Sequence, residues 1–167
     1  MKKLTISALI AVAAVGFTRS DVTKAAENST APIPPFSINE MMVEIVDHPG
    51  ELLWEVEKGH TPKNGEDWYE LENHAIALAG AATLIQLGGT GPEDAKWASQ
   101  PEWKKSAQQL ATAALTARQA AKSRNLAALI EANGQIVDAC ESCHNKFKPD
   151  IPTGKLFIHH RPGVDPF

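Results

Sequence analysis

Apolar residues recur along this chain at helical spacing in four stretches, with almost no trace of the alternation that marks a strand. The first stretch opens at Ser37-Ile38-Asn39-Glu40, a capping box, and carries Met42, Ile45, Val46, Leu53 and Val56 through Lys58. Pro49 and Gly50 interrupt it and predict a kink or a short break, because proline removes a hydrogen bond and crowds the preceding turn. A second helix is expected from about Glu66 to Leu87, with Trp68, Leu71, Ala75, Leu78, Ala82 and Ile85 on one face and Gly88-Gly89 as its stop. Residues 88 to 98 read as loop. Ser99 and Glu102 form a second capping box around Pro101, and the third helix then runs to about Ser123 with Trp103, Ala107, Leu110, Ala114, Ala117 and Ala121 inward. Asn125 caps a fourth, in which Leu126, Leu129, Ile130, Ile136, Val137, Cys140, His144 and Phe147 share a broad stripe that ends at Pro149.

Four helices of roughly twenty residues, each about 30 Å long and joined by short or modest loops, predict an all-α fold, an antiparallel four-helix bundle over residues 37–149. Alanine is abundant in the second and third helices and permits their close approach. The Pro32, Pro34 and Pro35 segment is an extended leader within residues 26–36, and residues 150–167, rich in proline and glycine, read as an irregular tail.

The ends of the chain bear on where it works. Met1-Lys2-Lys3 followed by an apolar run from Leu4 to Phe17, too short to span a bilayer comfortably, reads as a signal peptide covering residues 1–25. No cysteine stands there to carry a lipid anchor, so a soluble periplasmic protein is expected, with an uncleaved interfacial anchor as the alternative. Loss of residues 1–25 removes Lys2, Lys3, Arg19, Lys24 and Asp21 and takes the formal charge from −4 to −7. A chain that acidic is not a nucleic-acid binder. Nor do paired carboxylates, a nucleophile with its base or a glycine-rich phosphate loop appear that would support an enzyme.

The chemistry concentrates in Cys140-Glu141-Ser142-Cys143-His144. In the C-x-x-C-H pattern two thiols add to the vinyl groups of a haem while the adjacent imidazole reaches the iron, so Cys140 and Cys143 are read as covalent attachment sites of a single haem c and His144 as the proximal iron ligand. On a helix Cys140 and His144 lie one turn apart on one face. Three other readings compete. A thioredoxin-like redox pair belongs to a β-α-β context that this chain lacks. A structural disulfide would close too small a loop to constrain the unfolded chain. A zinc site could join Cys140, Cys143 and His144 to His159 or His160, giving a zinc-stabilised structural bundle, though it leaves the adjacency of His144 unexplained.

A signal peptide, four helices and a C-terminal C-x-x-C-H together resemble the class II c-type cytochromes, the cytochrome c prime family, over roughly residues 37 to 149. Class I cytochromes c carry the motif near the N-terminus instead. The stretch from Met42 to Trp54, with Asp47 between them, is similar to an exported branch of the same superfamily. Where that family usually has arginine four residues after the haem histidine, this chain has Lys148, which keeps the positive charge without the planar fork.

The resemblance implies two functions divided by the sixth iron position. Members with a first-helix methionine there are low-spin electron carriers; members with an apolar residue are five-coordinate and bind gases such as nitric oxide or carbon monoxide. Met41 and Met42 both fall in the first helix, and Met42 is in phase with Val46, Leu53 and Val56, so Met42 is the expected sixth ligand and Met41 the alternative. Both would otherwise be ordinary core methionines. His48, His60 and His74 are weaker candidates for that position. Trp54, Trp68 and Trp103 are read as core or haem-packing residues, and Trp97 as a loop residue closing one end of the bundle. Lys146, Lys148, Lys155 and Arg161 gather around the motif, either as a docking patch for an acidic redox donor or acceptor or as a solvated basic tail. A homodimer is left open.

Overall fold

The computed structural model of the chain describes residues 32–149. The signal-peptide reading of residues 1–25, part of the leader, and the tail with His159, His160, Lys155 and Arg161 lie outside the described residues. Among the described residues every regular element is helical, and four long helices form the expected all-α bundle.

The first, α1, consists of three consecutive stretches, Ile38–Met41, Met42–Val46 and Asp47–Glu55. Ser37 caps it as the sequence predicts: its hydroxyl accepts from the Glu40 N–H at 3.1 Å, and the Glu40 carboxylate accepts from the Ser37 N–H at 2.7 Å. The expected break at Pro49 does not occur. The middle stretch is π-helical, with the Asp47 N–H bonded to the Met42 carbonyl five residues back. Pro49 has no N–H for the Ile45 carbonyl and its ring crowds that oxygen, and the turn just before it is the one that widens. The helix thus continues through Pro49 and Gly50, both buried.

Helix α2, Gly65–Leu84, is capped by Asn64, whose side-chain oxygen accepts from Glu66 and Asp67 at 2.7 and 3.0 Å. A 3₁₀ turn, Ile85–Leu87, extends it to Gly88, whose φ of +88° suits glycine. At Gly89 a Cβ would lie 2.5 Å from the Phe36 carbonyl oxygen and 2.6 Å from Asp94 Oδ2, so only glycine fits. The segment beyond is not all loop: a short helix, α3, spans Asp94–Ala98. Its first residue, Asp94, is buried, and one carboxylate oxygen accepts from the backbone N–H groups of Ile38 and Gly91, each at 2.8 Å. That carboxylate ties the start of α1 to the α2–α3 connection. The second predicted capping box is absent because Ser99 terminates α3, its hydroxyl donating to the Lys96 carbonyl; the cap of the next helix is Gln100.

Helices α4, Pro101–Lys122, and α5, Leu126–Phe147, follow as predicted, with Asn125 accepting from the Ala128 N–H at 3.1 Å. All six residues expected inward on α4 are buried. On α5 the stripe narrows: Ile130 is exposed, while Leu129, Asn133 and Ile136 are fully buried. The helix also stops two residues before Pro149, since a residue preceding proline is disfavoured in the α region, and Lys148 adopts φ −144°, ψ 58°.

Packing is uneven. Helices α2, α4 and α5 form a close core around Leu71, Leu78, Ala82, Ala114, Ala117 and Leu129. Helix α1 lies mainly against α2 and meets α5 only sparsely. A smaller cluster of Ile38, Met41, Ile85, Trp103, Ala107 and Cys143 closes one end, where the Trp103 indole donates to the Ile85 carbonyl at 2.8 Å.

Two predictions follow from these ties. Asp94→Ala strips two backbone N–H groups of an ionised acceptor, one of them at a fully buried site, and should lower unfolding free energy by roughly 2–4 kcal/mol in denaturant titration. The second concerns the edge-to-face contact of His48 and His74 between α1 and α2, with ring centroids 5.5 Å apart. Burial, with the charge of His48 second, lowers the His74 pKa below 6.5, opposed by Glu70. A proton that binds the unfolded chain more readily than the folded one destabilises the fold, so stability should be intact above pH 6.5 and decline as pH falls through it. His74→Gln should flatten that decline in thermal unfolding measured from pH 7.5 to 5.

Candidate functional site

The sparse contact of α1 with α5 leaves a cleft, and the chemistry-bearing residues line it. On α5, Cys140, Cys143 and His144 lie within little more than one turn, and all three border an apolar cavity whose far wall is α1. A second, larger cavity of about 250 Å³ adjoins it toward the bundle end. Met42, Asp47, Cys143 and His144 line both, and so mark where the two meet.

A cross-helix hydrogen bond gives the relative level of the two walls. The Asn133 side-chain amide on α5 donates to the Leu53 carbonyl on α1. Met42 lies eleven residues before Leu53, and His144 eleven after Asn133. On antiparallel helices equal counts place both residues toward the same end of the bundle, with His144 about 16 Å from the anchor at 1.5 Å per residue and Met42 at a comparable distance on α1.

Electrostatics keep every donor in the cleft neutral. Burial, reinforced by Cys143, Asp47 and Glu141, pushes the Cys140 thiol up to about 12. Burial also pushes Cys143 up to about 11, opposed by a hydrogen bond to Ser106. A reactive redox pair requires the opposite shift. Thioethers, which carry no charge, suit this environment. The His144 pKa is lowered by burial first and by Lys148 second, which keeps the imidazole neutral with a lone pair to offer. Its buried Nδ1 has no protein partner. Two neutral sulfur anchors, a neutral imidazole and a thioether side chain around an apolar cavity are a donor set that fits haem. Among the described residues no three histidine, cysteine or acidic side chains come together to hold a metal ion by themselves. The zinc alternative would draw on His159 or His160, outside the described residues.

The two methionines separate. Met41 is 1% exposed and packed among Ile38, Ile85 and Trp103, whereas Met42 faces the cleft. His48, His60 and His74 border neither cavity: His48 leans on His74, and the His60 ring bonds the Glu55 carboxylate. Trp54 lines the deeper cavity, its indole N–H buried without a protein partner. Trp68 packs against the core. Trp97 belongs to α3, not to a loop, and stacks on Trp103 at 5.4 Å; Phe147 meets Trp103 edge-on at 5.0 Å. Lys148 lies 5.6 Å over the Trp97 ring at the rim of the larger cavity, and Lys146 is 3.6 Å from Glu102.

Sequence reasoning passed over Asn133, Asp94 and Ser106. Asn133 was the most visible of them, a lone amide in the stripe between Leu129 and Ile136.

Residues 70–148 match the family model described as Cytochrome C'. The match spans most of α2, all of α3 to α5 and the C-x-x-C-H motif, and it supports a class II c-type cytochrome, a family that implies haem binding. It does not reach α1. No curated protein and no solved structure matches the chain.

Covalent attachment is testable directly. Extraction of the purified protein with acidified organic solvent should leave the haem colour with the polypeptide, and Cys140→Ser with Cys143→Ser should release it. His144→Ala should retain the attached haem and lose the low-spin spectrum, since the imidazole is the donor that α5 supplies. Colour moving to the solvent, or zinc as the bound metal, would refute the assignment.

Proposed function

We propose that this chain is an exported c-type cytochrome that carries single electrons, with one haem c joined to Cys140 and Cys143 and its iron held between His144 and Met42. The observation that carries the choice of electron carrier over gas binder is the position of Met42. It lines both cavities together with His144 and Cys143, from the opposite helix, while Met41 is packed away in the core.

Haem c bound there would supply reversible one-electron chemistry. The protein's part is to hold two neutral axial donors on separate helices. Met42 presents a soft thioether that favours the reduced metal, and His144 an imidazole kept unprotonated by burial. Val46, Leu78, Leu110 and Ile136 form apolar walls that exclude water. A bundle that already fixes both donors has little to reorganise when charge changes. Lys148, at the rim beside Trp97, places a positive charge where an acidic donor or acceptor protein would approach the haem edge. Export follows from the Lys2-Lys3 start and the apolar run behind it, and suits a protein whose haem is attached through cysteine.

The deciding experiment is spectroscopic. Native ferric protein should be low-spin; Met42→Ala should turn it high-spin, open it to carbon monoxide in the ferrous state and lower its reduction potential. Met41→Ala should leave the spin state alone and cost ~2–5 kcal/mol of stability as a core truncation. Native protein that is already high-spin and binds carbon monoxide would transfer the function to gas binding, with Met42 an ordinary cleft residue.

A further inference from the structure

We infer that Asn133 is a positioning residue for the axial ligand pair: its hydrogen bond to the Leu53 carbonyl sets the register of α1 against α5 and so brings Met42 level with His144. This rests on the ligand pair proposed above and identifies what aligns it.

Leu53 sits two residues from the end of α1, among the last four carbonyls of the helix, which lack a regular in-helix donor. The Glu57 N–H goes instead to the Trp54 carbonyl at 3.0 Å. The Asn133 amide therefore acts as a cap delivered from another helix, across 80 residues of sequence. Asn133 is fully buried, and its Oδ1 has no protein partner. A leucine of similar volume would fit between Leu129 and Ile136 without that unmatched oxygen. An asparagine that costs stability at such a place is justified by specificity, and fixing helix register is the best-attested use of a single buried amide.

Register needs fixing here because dense packing does not fix it. Apolar contact is non-directional, and α1 touches α5 only sparsely across the cleft. A slip of one turn, 5.4 Å, would carry Met42 away from the level of His144. A further polar tie on α1, from Asp94 to the Ile38 N–H, joins α1 to the α2–α3 connection and not to the helix that bears His144. On α5 eleven residues make close to three helical turns, so Asn133 and His144 recur on nearly the same face of that helix.

The mature haem-loaded protein provides the test, in Asn133→Leu and Asn133→Ala, with Leu129→Ala as a core truncation one turn away on the same helix. Two readouts apply: the ferric spin state, and the distance between spin labels on cysteines placed at the exposed Ile45 and Ile130. Both Asn133 variants should gain a high-spin fraction, and the label distances should broaden or shift by up to a turn. Leu129→Ala should lose stability while staying low-spin with a narrow distance distribution. Asn133 variants that keep the native spin state and label distance would overturn the inference and give the register to Asp94 and the α1–α2 packing. If the unaltered protein is itself high-spin, Met42 ligation fails, and the label distances alone decide: a shift in Asn133→Leu sustains the register role and an unchanged distribution ends it.

Discussion

The cleft between α1 and α5 holds its sulfur and imidazole groups uncharged, and the arrangement of the molecule around it answers to that constraint. Removing an ion from water into apolar surroundings is costly, so groups held there are driven to their neutral forms. Both thiols are pushed far above neutrality and the imidazole is pushed down. Such a site is hostile to a thiolate redox pair and suits sulfur already converted to thioether. The same apolar walls that make the thiols poor nucleophiles make the cleft a good container for a large flat apolar group.

The cleft exists because the bundle is packed unequally. Alanines at 75, 82, 114, 117 and 121 let α2 and α4 come close, and α5 joins them around Leu129 and Ile136. Helix α1 adds Val46, Leu53 and Val56 to the same core, chiefly from the α2 side. The first helix is then free to stand off from α5 on one side, held by α2 along its length and by polar ties near each end, Asp94 at Ile38 and Asn133 at Leu53. Its π-helical turn begins at Met42 and runs up to the residues before Pro49. A widened turn of this kind is common where a side chain must be aimed away from its regular position, and here it coincides with the parting of Met41 into the core and Met42 into the cleft.

How much of this was legible depended on the range of the forces involved. The four long helices, the caps at Ser37 and Asn125 and the buried faces of α2 and α4 follow from local periodicity and hydrogen bonding within a few residues, and the structure agrees with them. The haem motif was equally plain because its members are contiguous. The misreadings arose where a local signal met a tertiary one. Pro49 signals a break in any isolated helix, but a widened turn lets packing carry α1 onward. Ser99 and Glu102 spell a capping box, yet Ser99 is already committed to the end of α3. That short helix could not be anticipated because its first residue is held by bonds to Ile38, 56 residues away. Ile130 fits the apolar stripe by phase, but no helix covers it. Asn133 could be seen as an oddity in its stripe; its partner could not.

Attachment and discrimination are therefore assigned to different parts of the chain. The match to the Cytochrome C' model covers residues 70–148, which include the C-x-x-C-H motif and most of the helices packed against one another, and leaves out α1. Under the function proposed above, the choice between electron carrier and gas binder would rest on α1, which places Met42 on the wall opposite His144. An element with few packing obligations to α5 can change that residue, its turn geometry or its register without disturbing the core or the anchors. The same freedom carries a cost: a helix that is loosely packed on the ligand side must be aligned by individual polar contacts, and a ligand held by alignment is more easily lost than one held by burial. With the haem proposed above, His144 would be held by the thioethers on its own helix, whereas Met42 would keep its place only as well as α1 does.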